Sequence, residues 1–340
     1  MVLEDGKSGK KWRIKKLTNL RLASSYRRLG EGDRFRKSRL RKDIFKKMIN
    51  CGDLLEFKRY GDGALKLSRA FFCRQRLCPM CGWRRSRKIF GQMNAIMEEI
   101  GDTYEFVFLT LTVRNVLWMF LKNQMDLLYK AFEKLRRRRR IKDAVRGWCR
   151  VFETTFNWQT KEFHPHFHVI LAVDKSYCTG EDYITQKGFA DLWKSCLGVD
   201  YTPIVDVRKF TESEKGRGRE VAEVAKYTVK AGHIMADLRE VRHLDPHVRD
   251  EMRRLTDEVT DMIVDCLDDA LSGRRMIEFG GVLKAAHKRL RRGDDDDLVV
   301  AGADVTGGTG EYTIERYKWR WKDRNYFGVG PAHGPEEDEG

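Results

Sequence analysis

Phe163-His164-Pro165-His166-Phe167-His168-Val169-Ile170-Leu171 places three histidines at alternate positions in an otherwise apolar run. Successive side chains of a β-strand point to opposite faces, so His164, His166 and His168 share one face, while Phe163, Phe167, Val169 and Leu171 share the other. A lone histidine in such a strand reads as a surface residue. Three of the chain's eight histidines within five positions read instead as metal ligands, since neutral imidazole is the commonest protein ligand. Pro165 cannot donate to a sheet ladder, so the strand is expected to lack a regular neighbour at that point.

Working outward, Val151-Phe-Glu-Thr-Thr-Phe-Asn157 reads as a second strand, joined to the histidine strand through the short polar link 158–162. With the turn centred near Gln159 and Thr160, Glu153 lies opposite His166 and adds a carboxylate to the His166 and His168 pair; whether His164 joins them is open. A one-residue slip would send Glu153 to the core side. Upstream, Phe106-Val-Phe-Leu-Thr-Leu-Thr-Val113 alternates as a strand. Val107, Leu109, Leu111 and Val113 form its core face, and Thr110 and Thr112, with Asn115 at the exit, are turned toward a ligand. His-x-His also opens the metallo-β-lactamase signature, but an Asp-His pair follows there, and Val169-Ile170 stands here.

The chain has 67 Lys and Arg against 51 Asp and Glu, a formal charge of +16, which suits a polyanionic partner such as nucleic acid. Residues 1–50 carry 17 of the bases and 5 of the acids. Residues 1–47, poor in periodic apolar positions, are expected to form a basic arm that is solvated, tracks phosphates, or does both. No apolar run reaches the roughly 18 residues of a membrane span, and the N-terminus lacks the apolar core of a signal peptide, so a cytoplasmic chain is expected. The eight cysteines are then read as thiols or metal ligands.

Cys78-Pro-Met-Cys81, preceded by Cys73 and Cys51, has the spacing of a zinc knuckle, in which a short turn lets two thiolates grip one tetrahedral ion. A redox pair would need neither of the other two cysteines. A four-thiolate Zn2+ unit over residues 48–92 is therefore expected, with Arg84, Arg85 and Arg87 as phosphate contacts beside it. Residues 117–142 have helical spacing and run into Arg136, Arg137, Arg138, Arg139 and Arg140, an expected nucleic-acid contact. In the stretch 220–230 a helix would align Glu223, Tyr227 and Lys230 on one stripe. Residues 245–292 read as charged helix broken at Gly273 and Gly280-Gly281, and a glycine-rich link with Asp294 to Asp297 follows. Tyr312-Thr-Ile-Glu-Arg-Tyr-Lys-Trp-Arg-Trp321 is either a terminal strand or a stacking surface for bases.

Three stretches, FLTLTVRN at 108–115, HPHFHVIL at 164–171 and EVAKYTVK at 223–230, give the chain its resemblance to the rolling-circle replication initiators of small bacterial plasmids, in the one-tyrosine branch of the HUH endonuclease superfamily. Their order and spacing are those of that family, and the segments around Cys73–Lys88 and Leu271–Lys284 are also similar. The resemblance covers roughly residues 50–290. It implies an α+β chain with a central antiparallel sheet of about five strands backed by helices, the HUH endonuclease fold. The domains would be the basic arm 1–47, the zinc unit 48–92, a nickase domain 93–240, a helical extension 241–293 and a flexible, basic-aromatic and acidic tail 294–340.

It further implies His166 and His168 as ligands of Mg2+ or Mn2+, Tyr227 as the nucleophile, and Glu223 as the group that helps water release the final product. Lys226 or Lys230 would assist the tyrosine. The implied partners are single-stranded or hairpin DNA at the replication origin and the host helicase and polymerase. The readings set against this one are a non-catalytic, zinc-bearing DNA-binding regulator and, within the superfamily, a transposase or mobilisation relaxase.

Overall fold

A computed structural model describes residues 2–3, 6–32, 36–210, 221–222, 225, 234, 245–290, 298–299 and 310–330. In chain order the elements are α1 (Gly6–Gly32), α2 (Arg36–Asn50), β1 (Leu54–Tyr60), β2 (Leu65–Ala70), α3 (Pro79–Ile100), β3 (Tyr104–Thr112), β4 (Val116–Leu117), α4 (Leu121–Leu135) and α5 (Arg139–Ala144). There follow β5 (Val145–Asn157), β6 (Glu162–Asp174), α6 (Gln186–Leu197), β7 (Val205–Lys209), α7 (Pro246–Leu271), β8 (Ile277–Gly280), α8 (Gly281–Leu290), β9 (Tyr312–Arg320) and β10 (Asn325–Val329). The chain divides into two compact units, Met1–Lys88 with Asp296–Gly340, and Ile89–Asp295. No helix among the described residues is long and apolar enough to cross a membrane.

The second unit is built on an antiparallel sheet of order β7-β3-β6-β5-β8, with β4 pairing β6 beyond the end of β3. On one face Phe106, Phe108, Cys149, Val151, Ile170 and Ala172 pack against Met93, Ile96 and Met97 of α3 and Leu283 and Ala286 of α8. On the other, Phe167 meets Tyr129 and Phe132 of α4 and Phe152 edge-on, and Phe152 lies tilted against Tyr129. Both faces of the central strands are thus buried, and burial of each large side chain contributes about 1.5–3 kcal/mol. The histidine face is apolar along half its length and polar only toward one end. β3 pairs with β6 as far as Thr112↔His166, and β4 resumes at Val116↔Phe163. Pro165 falls in that gap, where its missing N–H costs no ladder bond.

Several boundaries differ from the sequence expectation. The 117–142 stretch is not one helix: β4 and a 3-10 turn at Trp118–Phe120 precede α4, and the arginine run separates α4 from α5. The segment expected as a broken helix holds β8 between α7 and α8, because Ile277 and Phe279 pair with Val151 and Cys149 at the sheet edge. The helix expected over 220–230 lies outside the described residues, apart from a turn at Val221–Ala225.

The first unit corrects the expectation of a solvated arm. α1 and α2 bury Trp12, Leu22, Tyr26, Ile44 and Met48, and Trp12 meets Phe57 of β1, Phe72 and Trp83. These apolar positions are too sparse to announce a core by themselves; the partners that bury them are far along the chain. The unit's sheet has order β10-β9-β1-β2, so the basic-aromatic segment near the C-terminus is a strand paired along the whole of β1.

Gly280-Gly281 is a close backbone crossing. Gly281 has φ +56°, its backbone bridges Gly147, and a Cβ there would overlap the carbonyl oxygen of Arg146. Gly281→Ala is therefore expected to lose more than the about 1–2 kcal/mol that a left-handed backbone alone costs, read as a lower urea midpoint with unchanged slope. Stability equal to the parent would contradict this reading of the junction.

Candidate functional site

The pairing of β5 with β6 sets Glu153 across from His166, the register the hairpin length requires. Glu153, His166 and His168 are 3%, 7% and 8% exposed, and their ligand atoms lie within 4.8 Å of one another. His166 Nε2 is 3.2 Å from His168 Nε2 and 3.8 Å from Glu153 Oε2, and His168 Nε2 is 3.2 Å from the same oxygen.

The surroundings fix which ring nitrogens face this point. His166 Nδ1 donates to the backbone carbonyl of His164 at 3.1 Å. A carbonyl only accepts, so in the neutral ring Nε2 carries the lone pair. His168 Nδ1 shares a 3.2 Å hydrogen bond with Thr110 Oγ1, and its ring stacks on Phe108. Burial, and then the neighbouring His168, push His166 down to about 4. The ring is therefore uncharged at neutral pH, as a ligand must be.

Thr110 thus orients an imidazole, a role that sequence reading missed, because nothing local sets Thr110 across from His168 on the neighbouring strand. Thr112 donates to the Ile204 carbonyl at 2.7 Å and is largely buried. Asn115 accepts from His164 Nδ1 at 2.7 Å, and His164, lowered by burial, stands outside the three-residue cluster. Tyr227, Glu223, Lys226 and Lys230 lie outside the described residues.

In the first unit Cys51, Cys73, Cys78 and Cys81 form a second group of buried donors. The sulfurs of Cys51 and Cys81 are 3.5 Å apart, and the Cys73–Cys81 and Cys51–Cys78 pairs 3.6 Å. A tetrahedron with Zn–S of about 2.3 Å has edges of about 3.8 Å, whereas a disulfide brings sulfurs to about 2.05 Å. The spacing fits four ligands of one ion. The Cys73 amide points at Cys51 Sγ at 3.4 Å and the Arg74 amide at Cys81 Sγ at 3.2 Å, the latter from a residue with φ +58°. Burial raises the Cys78 thiol well above its ordinary range, while hydrogen bonds from the other thiols, Cys51 first, lower Cys81. Burial disfavours a thiolate at Cys78, so all four sulfurs would be deprotonated together only beside a cation. Lys16, fully buried, donates to the carbonyls of Ile49 at 2.7 Å and Cys51 at 2.9 Å, a contact with no local sequence signal.

The expected phosphate contacts are dispersed. Arg84 is a correction: it is 2% exposed and donates to the carbonyls of Leu298 at 2.8 Å and Val299 at 2.7 Å, so its guanidinium is a staple within the unit. Arg85 donates to the carbonyls of Gln75 and Arg74, and Arg87 is half-buried. In the arginine run Arg136 and Arg137 pair with Glu133, Arg138 donates to Ser195, Arg139 pairs with Asp143 and Arg140 donates to the Tyr183 carbonyl. Two acids, a hydroxyl and a carbonyl on the same unit are thus the acceptors that the run meets, with Arg137, Arg138, Arg139 and Arg140 still exposed.

A family model described as a replication protein matches residues 64–327. A protein named "Protein rep" from Bacillus sp is 40% identical over 270 residues, 76% of this chain and 85% of the relative. Another from Bacillus amyloliquefaciens is 38% identical over 343 residues, 96% of this chain and 97% of the relative. A third, from Streptococcus pneumoniae, is 33% identical and covers 96% and 95%. No solved structure matches.

For the metal-free protein, the His166 Cε1–H resonance is expected to titrate near pH 4, against about 6.5 for a free histidine. The folded value lies below the unfolded one, so the linked stability is full above pH 6.5 and drains away as pH falls toward 4. An NMR midpoint near 6.5 would refute the buried, neutral ring.

Proposed function

Since the chain belongs to the replication protein family, we propose that it starts plasmid rolling-circle replication by nicking and rejoining single-stranded origin DNA through Tyr227. The observation that carries this reading is the buried Glu153, His166 and His168 cluster. We read its sheet as the HUH endonuclease fold. The residues fit a divalent ion, because two imidazoles and a carboxylate oxygen converge there, and the resemblance to the family makes that ion Mg2+ or Mn2+. Such an ion, when bound, withdraws charge from the scissile phosphodiester and fixes its orientation.

The protein's own groups do the rest. The His164 carbonyl sets the tautomer of His166, and the hydrogen bond shared with Thr110 fixes the orientation of the His168 ring, so both Nε2 atoms are aimed at one point. The oxygen of Tyr227 forms a bond to phosphorus, and the bond from phosphorus to the 3′ oxygen breaks. The phenol gives up its proton and the departing oxygen takes one, leaving a 5′-phosphotyrosine and a 3′ hydroxyl that primes synthesis. One ester replaces another, so rejoining runs by the reverse path. Glu223 activates a water that ends the cycle, and Lys226 or Lys230 bears on the charge at phosphorus. These four residues enter by the resemblance of 223–230 to the family's tyrosine motif. Cys51, Cys73, Cys78 and Cys81 hold a structural Zn2+ that ties α2 and the β1-β2 hairpin to the start of α3.

Full-length protein with Mg2+ or Mn2+ is expected to relax supercoiled plasmid carrying its origin. Tyr227→Phe should abolish the covalent adduct, and His166→Ala should slow nicking about 100-fold or more. Mass spectrometry of the digest should find nucleotide on Tyr227. Glu223→Ala should nick normally and terminate poorly. A protein that shifts the DNA in gels without relaxing it with either ion would be a regulator instead.

Metal analysis of the chain is expected to give one zinc with Zn–S distances of about 2.3 Å, and Cys78→Ser to lose the zinc together with helical circular dichroism. Full helicity after complete zinc removal would defeat the structural role.

A further inference from the structure

The four-stranded sheet of the first unit has one covered face and one open one. Leu55, Phe57, Tyr317 and Trp319 are buried on the covered face, where Trp12 of α1 meets Phe57. By the alternation of strands, the neighbours Leu54, Glu56, Lys58 and Tyr60 of β1 point the other way. The register sets them beside Lys318, Arg316, Ile314 and Tyr312 of β9, and Phe327 of β10 lies beside Lys318.

This open face interleaves rings with cations. Tyr60 and Tyr312 lie with centroids 5.6 Å apart, Lys58 Nζ sits 4.1 Å from the Tyr312 centroid, and the Arg320 guanidinium sits 4.4 Å from that of Phe327. Tyr312 is 47% exposed. Among the described strand residues of this face the one acid is Glu56, held by Arg316 at 2.8 Å and Ser68 at 3.1 Å, so it does not cancel the remaining cations. A surface of this kind repels a basic protein, and its exposed apolar side chains Leu54, Ile314 and Val329 are set beside the cations Lys318, Lys58 and Arg316 in the register. Its rings have π-faces that stacked, paired bases cannot reach and unpaired bases can. The charge and the rings together favour a single strand over a duplex.

We propose that this open sheet face is a docking platform for single-stranded DNA, on which Tyr60 and Tyr312 stack bases while Lys58, Lys318 and Arg320 track phosphates. The inference rests on the reading above for the identity of the polyanion and adds a binding surface separate from the His166 and His168 cluster. It gives the basic-aromatic segment at 312–321 both of its expected roles, as strand and as stacking surface.

The test is binding of a labelled oligo-deoxythymidine to the full chain by fluorescence anisotropy. The triple variant Lys58→Gln, Lys318→Gln, Arg320→Gln should weaken binding about tenfold or more and lower the slope of log affinity against log salt by about 2, at about 0.7 per lost phosphate contact. Tyr60→Leu with Tyr312→Leu should weaken binding about tenfold with the salt slope unchanged, because stacking carries no charge. Binding within twofold of the parent in both variants, or a duplex of the same length bound equally well, would overturn the platform. If the plasmid is still relaxed in that case, the nickase reading stands and the platform alone falls; a parent chain that binds no strand and relaxes no plasmid removes both. Should a variant lose its circular dichroism, photo-crosslinking of an iodouracil strand to the parent chain decides: adducts on residues 54–60 or 312–329 support the platform, and adducts confined to other segments refute it.

Discussion

The antiparallel register of β5 against β6 is the constraint on which the site depends. It puts Glu153 beside His166 and, in the same stroke, Phe152 beside Phe167 on the opposite face. Because side chains alternate with a period of two, moving one strand by one residue would exchange these sets. A carboxylate would then enter the ring cluster of Tyr129, Phe132 and Phe167, and an aromatic ring would leave it. Arg150, 2% exposed among the same rings and already held by Glu278 at 2.6 Å, belongs to that face too, so the packing of rings and guanidinium on one face fixes which side chains of β5 reach the other. The histidines do not choose their own positions; Phe152 and Phe167 choose for them.

That coupling explains why the grouping of Glu153, His166 and His168 was legible in the sequence. The alternation of 163–171, the alternation of 106–113 and the length of the 158–162 link are local properties, and together they specify a three-residue cluster. Pro165 was legible for the same reason, since a missing N–H restricts its neighbours whatever the rest of the chain does. The four cysteines were legible because thiolate spacing is a local matter as well. What was not legible needed partners far away. Trp12, Leu22 and Tyr26 look like scattered apolar residues in a basic arm until Phe57, Phe72 and Trp83 are brought to them. β8 reads as helix until an open strand edge is there to pair with it. Arg84 looks like any surface cation until the carbonyls of Leu298 and Val299, more than two hundred residues later, are found to cap it.

Charge is subject to the same distinction. A count of bases indicates a polyanionic partner but does not say which bases meet it. Arg136 and Arg137 share Glu133, Arg139 has Asp143, and Arg146 has Asp174 at 2.6 Å, so part of the excess serves surface pairs worth little each. On the open sheet face Arg316 is paired with Glu56, while Lys58 and Arg320 lie against the rings of Tyr312 and Phe327. The sequence motif with the longest arginine run is thus the better paired one, and the shorter alternation of lysine, arginine and tyrosine in β9 is the one left facing outward.

The two donor sets differ in a way that bears on how each would be used. Four buried sulfurs at tetrahedral spacing would saturate an ion, leaving it no position for substrate, and soft thiolates favour zinc over magnesium or manganese. Two imidazoles and a carboxylate are only three donors, so they would leave an ion's remaining positions open, and the mixed nitrogen and oxygen set is less selective for zinc than four thiolates. A closed site releases its ion slowly because every ligand must let go, whereas an open site exchanges its ion with the solution as substrate comes and goes. The four cysteines lie in a unit that also buries Trp12, Phe57, Tyr317 and Trp319, so an ion there would add to an apolar core, whereas an ion at the histidines would sit on a sheet already buried on both faces and be free to serve the chemistry.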